Sequence, residues 1–501
     1  MKALFTNKVI LEIIKRYRTL WSLYHLSALA HWDMNTYMPK DGINARSEAL
    51  SKIAVLSQKL FLDKDFVFLI QKAEKEKLND YENAIIRLLK RELKQYQKLP
   101  PKFIEEFTKV TNEAHMVWKN AKEKNNFSLF EPYLEKIVEL SRKKAEYLGY
   151  EKHPYDALLD EYEEGLTTEE VQKYFDSIKE PIISLIKYIK NSSKYKNEHP
   201  LENEKYELLK MEQLNKKFLE LVHNNSNDLR LDIAPHPFSI ALGIGDSRIT
   251  TRYEGKDFKR SYSSTIHEFG HALYELQCNK ELAYTPVGMG TSLIIHESQS
   301  RLWENIIGKS KEFTQIFYND IIKLNANITK YSIDDIYEYL NSVKPSLIRT
   351  EADEVTYHLH VLIRFEIEKE LIEGKISVKD LPRIWAEKYM SYLGVKPKND
   401  SEGVLQDIHW SQGSIGYFPT YSMGTSLSVI WKNEIEKNIG KISNLLKSKE
   451  GIKKTQEWLK INIHQYGSTY TLREIVKRIT GKEFNSQPVL NYLEEKYKKI
   501  Y

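Results

Sequence analysis

The sequence contains one cysteine, Cys278, so no disulfide can form within the chain. It also lacks any uninterrupted apolar stretch of the roughly 18 to 20 residues that a membrane-spanning helix needs. The apolar run near the start is broken by Glu12 and Lys15, which is typical of an amphipathic helix rather than a secretory signal. We therefore expect a reducing, cytoplasmic location and no membrane partner.

A strong excess of one charge is absent as well. The 75 basic and 70 acidic residues are mixed along the chain and give a formal net charge of +5. That balance is too small and too dispersed to indicate a nucleic-acid partner. The basic run at 447–454 lacks the interleaved aromatic side chains of a groove that binds single strands.

Helix breakers are few, with 15 prolines and 20 glycines in 501 residues. Several segments carry apolar residues at three- and four-residue spacing among Lys and Glu, which predicts helices with one buried stripe: 43–61, 80–97, 102–124 and 169–189. We find no repeat and no linker rich in Gly, Pro or Ser. The sequence predicts a mainly helical, all-α chain that forms a single domain over residues 1–501.

One region departs from the helical pattern. Apolar residues alternate with polar ones on both sides of Gly243 and Gly245 in the segment 235–253. This alternation around a glycine turn predicts a β-hairpin. Because the hairpin shortly precedes the histidine motif described next, we expect it to lie beside an active-site groove.

The segment 261–277 contains His-Glu-x-x-His. His267 and His271 are four residues apart, so on a helix both imidazoles lie on one face and can reach one metal ion. Glu268 is then placed to touch a water molecule at that metal. The spacing therefore indicates a metal-dependent hydrolase.

A structural interpretation of the same segment stays open. Ser263 or Ser264 is suited to cap the start of the helix. Thr265 and Glu268 also fit a capping box, in which the glutamate has only a structural role. The motif alone is therefore suggestive and needs a third ligand.

A catalytic zinc site takes three protein ligands and keeps one position open for water. A second helix is predicted after the glycine-containing turn Pro-Val-Gly-Met-Gly-Thr, and Glu297 on it has the favoured spacing. His296 and Glu304 on the same helix are rival ligands. Cys278 is a further rival, although a single cysteine in an apolar helix is more often a packing residue.

These residues carry a resemblance to a known family. His-Glu-Phe-Gly-His at 267–271 followed by His-Glu-Ser-Gln at 296–299 resembles the M32 carboxypeptidases, the carboxypeptidase Taq group. Further stretches similar to that family stand in order along the chain: 31–46, 154–165, His-Pro-Phe at 236–238, Asp-x-Arg-x-Thr at 246–250, Ile-Arg-x-x-Ala-Asp at 348–353, and Gly-x-x-Gln-Asp-x-His-Trp at 403–410.

The resemblance implies a helical fold with a deep groove, similar to neurolysin and angiotensin-converting enzyme. It implies removal of single residues from peptide C-termini with broad specificity, poor action on proline, and a homodimer. It also implies one zinc ion per chain, with cobalt as a possible substitute. His267, His271 and Glu297 become the metal ligands and Glu268 the catalytic base.

Five more side chains are candidate site residues. The motif at 348–353 assigns recognition of the substrate carboxylate to Arg349, with His409 assisting. Arg248 is a candidate to bind substrate or to position the hairpin. Tyr417 and Tyr421 are four residues apart, so one helical segment would place both on the same side. Similar peptidases stabilise the oxyanion with a tyrosine, and Tyr421 is favoured over Tyr417.

Two other functions fit the same sequence. One is an oligopeptidase of this fold that cuts internal bonds of short peptides. The other is a non-catalytic helical scaffold that binds a metal or carries the motif by chance.

Overall fold

The computed structural model describes residues 4–224 and 227–501 of the chain. The helices up to residue 224 are α1 (Lys8–Thr36), α2 (Ile43–Phe61), α3 (Lys64–Ala73), α4 (Asp80–Lys98), α5 (Pro101–Glu123), α6 (Glu131–Leu148), α7 (Pro154–Leu159), α8 (Thr168–Lys190), α9 (Pro200–Asn203) and α10 (Leu208–Val222). The helices after residue 227 are α11 (Phe258–Leu276), α12 (Leu293–Arg301), α13 (Lys311–Ile321), α14 (Ile333–Leu340), α15 (Tyr357–Glu373), α16 (Leu381–Leu393), α17 (Pro419–Ile439), α18 (Ile442–Leu445), α19 (Lys449–Asn462), α20 (Leu472–Thr480) and α21 (Gln487–Ile500). The mainly helical fold class is therefore confirmed.

The four segments with helical periodicity correspond to α2, α4, α5 and α8. Their ends follow local chemistry: α8, for example, starts at a capping box in which Thr167 and Glu170 satisfy each other's backbone N–H groups. Among the described residues, no helix is both long enough and apolar enough to cross a membrane.

The predicted hairpin is confirmed. Strand β2 (Ser239–Gly243) pairs antiparallel with β3 (Asp246–Thr251), and the register shifts between Ala241 and Gly243. A third strand, β1 (Leu229–Ile233), pairs parallel with β3 and was not predicted. A parallel partner needs no hairpin turn, so it leaves no local turn signal in the sequence. The strand order is β1–β3–β2, which leaves β2 at an edge.

The chain forms two compact units, each assembled from three stretches of sequence. The first unit comprises the described parts of 1–96, 199–340 and 431–483. The second unit comprises 97–198, 341–430 and 484–501. The sheet, α11 and α12 belong to the first unit.

An aromatic core fixes α11 within the first unit. Phe269 of α11 is fully buried, with its ring centroid 4.8 Å from that of Trp303 and 5.6 Å from that of Phe218 on α10. Residues two positions apart on a helix point in nearly opposite directions, so burying Phe269 leaves His267 and His271 on the other face. The core therefore sets the orientation of the histidine pair.

The start of α11 differs from the prediction. The helix begins at Phe258, with Asp257 in a left-handed conformation (φ 42°) as its N-cap residue. Ser263 and Ser264 therefore lie inside the helix and do not cap it. The capping-box interpretation of Thr265 and Glu268 is wrong for the same reason, because both residues lie in the interior of α11.

Candidate metal centre

Three predicted ligands converge in the first unit. Nε2 of His267 and Nε2 of His271 each lie 3.6 Å from Oε2 of Glu297. One potential ligand atom from each residue lies within 4.8 Å of the other two, and among the described residues these three form the candidate metal-binding group. Two imidazole nitrogens and one carboxylate oxygen are the donor set of a catalytic zinc site.

Gly270 allows the two ligand-bearing helices to approach each other. A Cβ atom at this position would lie 2.6 Å from Cα of Ser300 and 2.7 Å from the carbonyl oxygen of Gln299, both on α12. Contacts this short are not compatible with a side chain. The glycine in the motif is therefore a packing requirement that brings Glu297 within reach of the histidines.

The other nitrogen of His267 contacts Glu304. Nδ1 of His267 and Oε2 of Glu304 are 2.9 Å apart. Glu304 lies in a π-helical turn, Leu302–Gly308, that continues α12, and it also accepts a hydrogen bond from Lys309. Glu304, a rival ligand in the sequence, is therefore a partner of the second ring nitrogen of His267. A carboxylate in this position is common for metal-binding histidines.

The other nitrogen of His271 faces a second histidine. Nδ1 of His271 and Nδ1 of His296 are 3.3 Å apart, and Nε2 of His296 lies 2.8 Å from Oε1 of Glu275. The backbone N–H of Gly290 donates to the same Glu275 oxygen. His296, the second rival, is therefore a partner of a ligand, and the third rival, Cys278, is buried with its Sγ near the backbone of α11.

Glu268 lies on α11 beside His267 and is almost fully buried. Burial raises the pKa of its carboxyl to about 7, and a hydrogen bond with Ser239 opposes that rise. Ser239 is the first residue of the edge strand β2. The hairpin therefore lies next to Glu268, as the sequence predicted.

Burial also lowers the pKa of His271 to about 4. For Glu297 the effect of burial is outweighed by Arg301, which holds the pKa of that carboxyl below its ordinary range. For His267 the effect of burial is outweighed by the charge of Glu297 and the hydrogen bond with Glu304, which raise its pKa. The shifts of Glu297 and His271 favour a carboxylate anion and a neutral imidazole. Deprotonated ligands of this kind are what metal binding requires.

Arg349 lies in the second unit and is already engaged by protein groups. Its Nε and Nη2 both donate to Oδ1 of Asp407, at 3.0 and 2.9 Å, and its Nη1 donates to the hydroxyl of Tyr357. Arg364 holds the other oxygen of Asp407 at 2.6 Å. One buried carboxylate therefore pairs with two guanidinium groups, which leaves a net positive charge.

His409 and Tyr421 lie together in the second unit, with Nε2 of His409 3.1 Å from the Tyr421 hydroxyl. Burial, followed by the charge of Arg349, lowers the pKa of His409 to about 3. The ring of Tyr417 lies 5.1 Å from that of Tyr421, but α17 begins only at Pro419. The expectation that one helix carries both tyrosines is wrong, because Pro419 starts the helix after Tyr417.

Arg248 lies on β3 and is paired locally. Its Nε and Nη2 donate to the two carboxylate oxygens of Asp246, each at 3.0 Å, and its guanidinium lies 5.7 Å from the ring centroid of Trp32. These contacts tie the hairpin to α1. They suit the positioning role that the sequence left open for Arg248.

Four residues that contact candidate site residues were not singled out from the sequence: Arg301, Glu275, Asp407 and Tyr357. The sequence contained a pattern that could have identified two of these residues, Arg301 and Asp407. Arg301 follows Glu297 by one helical turn, the spacing of an ion pair. Asp407 is the aspartate of the Gly-x-x-Gln-Asp-x-His-Trp motif.

The sequence is similar to known proteins over nearly its whole length. The sequence matches the family described as carboxypeptidase Taq (M32) metallopeptidase over residues 12–497. It is 45% identical over 500 residues to thermostable carboxypeptidase 1 of Pyrococcus furiosus, covering 99% of this chain and 100% of that protein. It is 36% identical over 487 residues to carboxypeptidase 1 of Bacillus subtilis, covering 95% of each.

Solved structures give the same result. A Pyrococcus furiosus carboxypeptidase in an apo-Mg form is similar at a TM-score of 0.96 and 44% identity, over 99% of this chain and 100% of that one. An M32 carboxypeptidase from Deinococcus radiodurans R1 is similar at a TM-score of 0.94 and 30% identity, over 99% and 100%. The interpretation as a non-catalytic scaffold is therefore excluded, and the chain belongs to the M32 family of metallocarboxypeptidases.

Proposed function

We propose that the protein is a zinc-dependent carboxypeptidase that removes single residues from peptide C-termini with broad specificity and acts poorly on proline. One metal ion per chain is held by His267, His271 and Glu297, and cobalt substitutes for zinc. The convergence of two Nε2 atoms on one carboxylate oxygen is the observation that carries this proposal. A bound ion of this kind supplies Lewis acidity for the scissile carbonyl and lowers the pKa of a water molecule.

Glu268 is the proposed general base and acid. It neighbours His267 on α11, is nearly enclosed, and lies next to the edge strand β2. From this position it takes a proton from the attacking water and returns it to the leaving amine. The position of Glu268 inside α11 removes the capping-box role, which supports the catalytic one.

Arg349 is the proposed receptor for the substrate carboxylate. A guanidinium has five N–H donors, and contacts with described residues engage three of them. Asp407 and Tyr357 fix the plane of the group, and the second guanidinium, on Arg364, keeps the cluster positive. A fixed, positive fork suits a planar carboxylate.

Tyr421 is the proposed hydroxyl donor to the oxyanion, with Tyr417 as the alternative. The contact with Nε2 of His409 supports Tyr421, because it orients the hydroxyl. His409 then acts through Tyr421 rather than on the substrate.

Three further properties complete the proposal. The family resemblance implies a homodimer and a single folding domain, and the single cysteine indicates a cytoplasmic location. Each compact unit draws on three separate stretches of chain, so neither can be cut out as one contiguous piece. This interleaving supports folding as one domain.

Glu268→Gln tests the proposal. We expect one metal ion per chain to remain, because Glu268 is not a ligand, and kcat to fall by about 10² to 10⁴-fold. Metal content by mass spectrometry and kcat are measured on the same preparation. Glu281→Gln, at an exposed site in the same unit, is the matched control and should retain full activity. A folded Glu268→Gln protein with normal turnover would refute the assignment.

A further inference from the structure

Arg301 contacts two carboxylates at the proposed metal site, Glu297 and Glu304. It is the last residue of α12, and only 12% of its side chain is exposed. Its Nε donates to Oε1 of Glu297 at 2.6 Å, and its Nη1 donates to Oε2 of Glu304 at 3.1 Å. Glu304 in turn contacts Nδ1 of His267. The Arg301 guanidinium therefore contacts one proposed ligand, Glu297, directly and is linked to a second, His267, through Glu304.

The two oxygens of Glu297 therefore have different partners. Oε2 faces Nε2 of both histidines and lies within hydrogen-bond distance of the Ser300 hydroxyl. Oε1 is held by Arg301 in a short, buried, charge-assisted hydrogen bond, which is among the stronger interactions of a protein interior. Turning Oε1 toward the histidines would break that bond and remove the carboxylate partner of Nε in a buried guanidinium.

The number of ligand oxygens matters for catalysis. A catalytic zinc site has three protein ligand atoms and one position for water or substrate. A carboxylate can bind a metal through one oxygen or through both. If Glu297 used both oxygens, the second would occupy the position that the reaction needs.

We propose that Arg301 is a positioning residue that restricts Glu297 to coordination through Oε2 alone and so keeps one metal position open. This inference rests on the proposed metal site at His267, His271 and Glu297. In this proposal Arg301 determines how Glu297 binds the metal and does not contact the substrate.

Charge balance alone is a competing explanation. Glu297 and Glu304 are matched by two cations, Arg301 and Lys309. A lysine at position 301 would preserve that balance. It would not preserve the fork, because a single ammonium nitrogen cannot reproduce two separated donors held in one plane.

The test uses the cobalt-substituted protein, whose visible d–d absorption and X-ray absorption report the number of ligands on the ion. In Arg301→Met we expect one Co²⁺ per chain, one additional oxygen ligand, and a kcat about 10 to 100-fold lower, the usual effect of losing a partner of a metal ligand. Arg301→Lys, which should fold even if the methionine variant does not, should show the same additional ligand. Arg383→Met, at an exposed pair on α16, is the matched control and should keep the wild-type spectrum.

The experiment distinguishes failure of the proposed role of Arg301 from failure of the proposed metal site. A wild-type protein that binds no Co²⁺ would refute the proposed site. A wild type with one Co²⁺ and a folded Arg301→Met protein with the same spectrum would refute the role of Arg301 alone. A wild-type spectrum in Arg301→Lys would assign the residue to charge balance, and loss of Co²⁺ from folded Arg301→Met would assign it to metal capture; either would overturn the inference.

Discussion

At the scale of single residues, Glu368 is a carboxylate whose burial disfavours its charged form. It is fully buried on α15 and accepts hydrogen bonds from the Tyr155 hydroxyl, the Trp410 indole and the backbone N–H of Gly416. Burial dominates and raises the pKa of Glu368 from its ordinary value of 4.5 to about 7. The native protein therefore binds this proton more tightly than the unfolded chain does.

This residue makes stability depend on pH. Its contribution to the free energy of unfolding is complete below about pH 4.5 and is lost as the pH rises toward about 7. At about 1.4 kcal/mol per pKa unit, the loss is roughly 3 kcal/mol. Glu368→Gln removes the titration, so the melting temperature of the wild type minus that of the variant should decrease across this range and then level off.

Calorimetry of both proteins from pH 4.5 to pH 8 gives this difference. Glu387→Gln, at an exposed carboxylate on α16, is the control and should follow the wild-type curve at every pH. Parallel curves for the wild type and Glu368→Gln would contradict the account.

The sequence predicted the members of the His267, His271 and Glu297 cluster better than the partners of these residues. His267, His271 and Glu297 follow from helical spacing and from the three-ligand rule, which are local properties. The contacts of Arg349 with Asp407 join residues 58 positions apart, and no spacing rule predicts such a pair. The family motifs drew attention to both segments but not to their mutual contact.

At the scale of elements, the packing of α11 against α12 determines the site. Helical periodicity was sufficient to predict both helices. It did not predict where α11 begins, because Asp257 in a left-handed conformation starts the helix earlier than any serine or threonine cap would. Strand β1 was missed because its parallel pairing with β3 depends on residues outside the segment itself.

Gly270 gives a test at this scale. Gly270→Ala places a methyl group against the backbone of Ser300 and Gln299, so α11 and α12 must separate by a few tenths of an ångström or more. We expect a loss of about 1 to 3 kcal/mol in the free energy of unfolding, as for other overpacked sites. We also expect weaker metal binding, because the separation moves Glu297 away from the histidines.

Chelator competition and thermal unfolding measure the two effects of Gly270→Ala. Gly42→Ala is the matched control, since its Cβ would meet only the flexible side chain of Met38 at 3.3 Å. Unchanged metal affinity in Gly270→Ala would show that the close approach of the helices is not what positions Glu297.

At the scale of the whole molecule, family motifs occur in both compact units. The histidine motif and Glu297 belong to the first unit, whereas Arg349, His409 and Tyr421 belong to the second. The family motifs are therefore spread along the sequence and are not confined to one segment. This distribution explains why the ordered motifs identified the family, whereas composition and periodicity alone predicted only a helical protein.

The enzyme is proposed to remove one residue at a time from a free C-terminus. The direct measurement is a mass-spectrometric time course on one peptide prepared as the C-terminal acid and as the amide. We expect a one-residue ladder from the acid, little cleavage of the amide, and no products after chelation until zinc or cobalt is restored. In Arg349→Ala the preference for the acid should shrink, because the receptor for the carboxylate is gone. Equal wild-type rates on the two peptides, or internal cleavage of both, would contradict the account and favour an oligopeptidase.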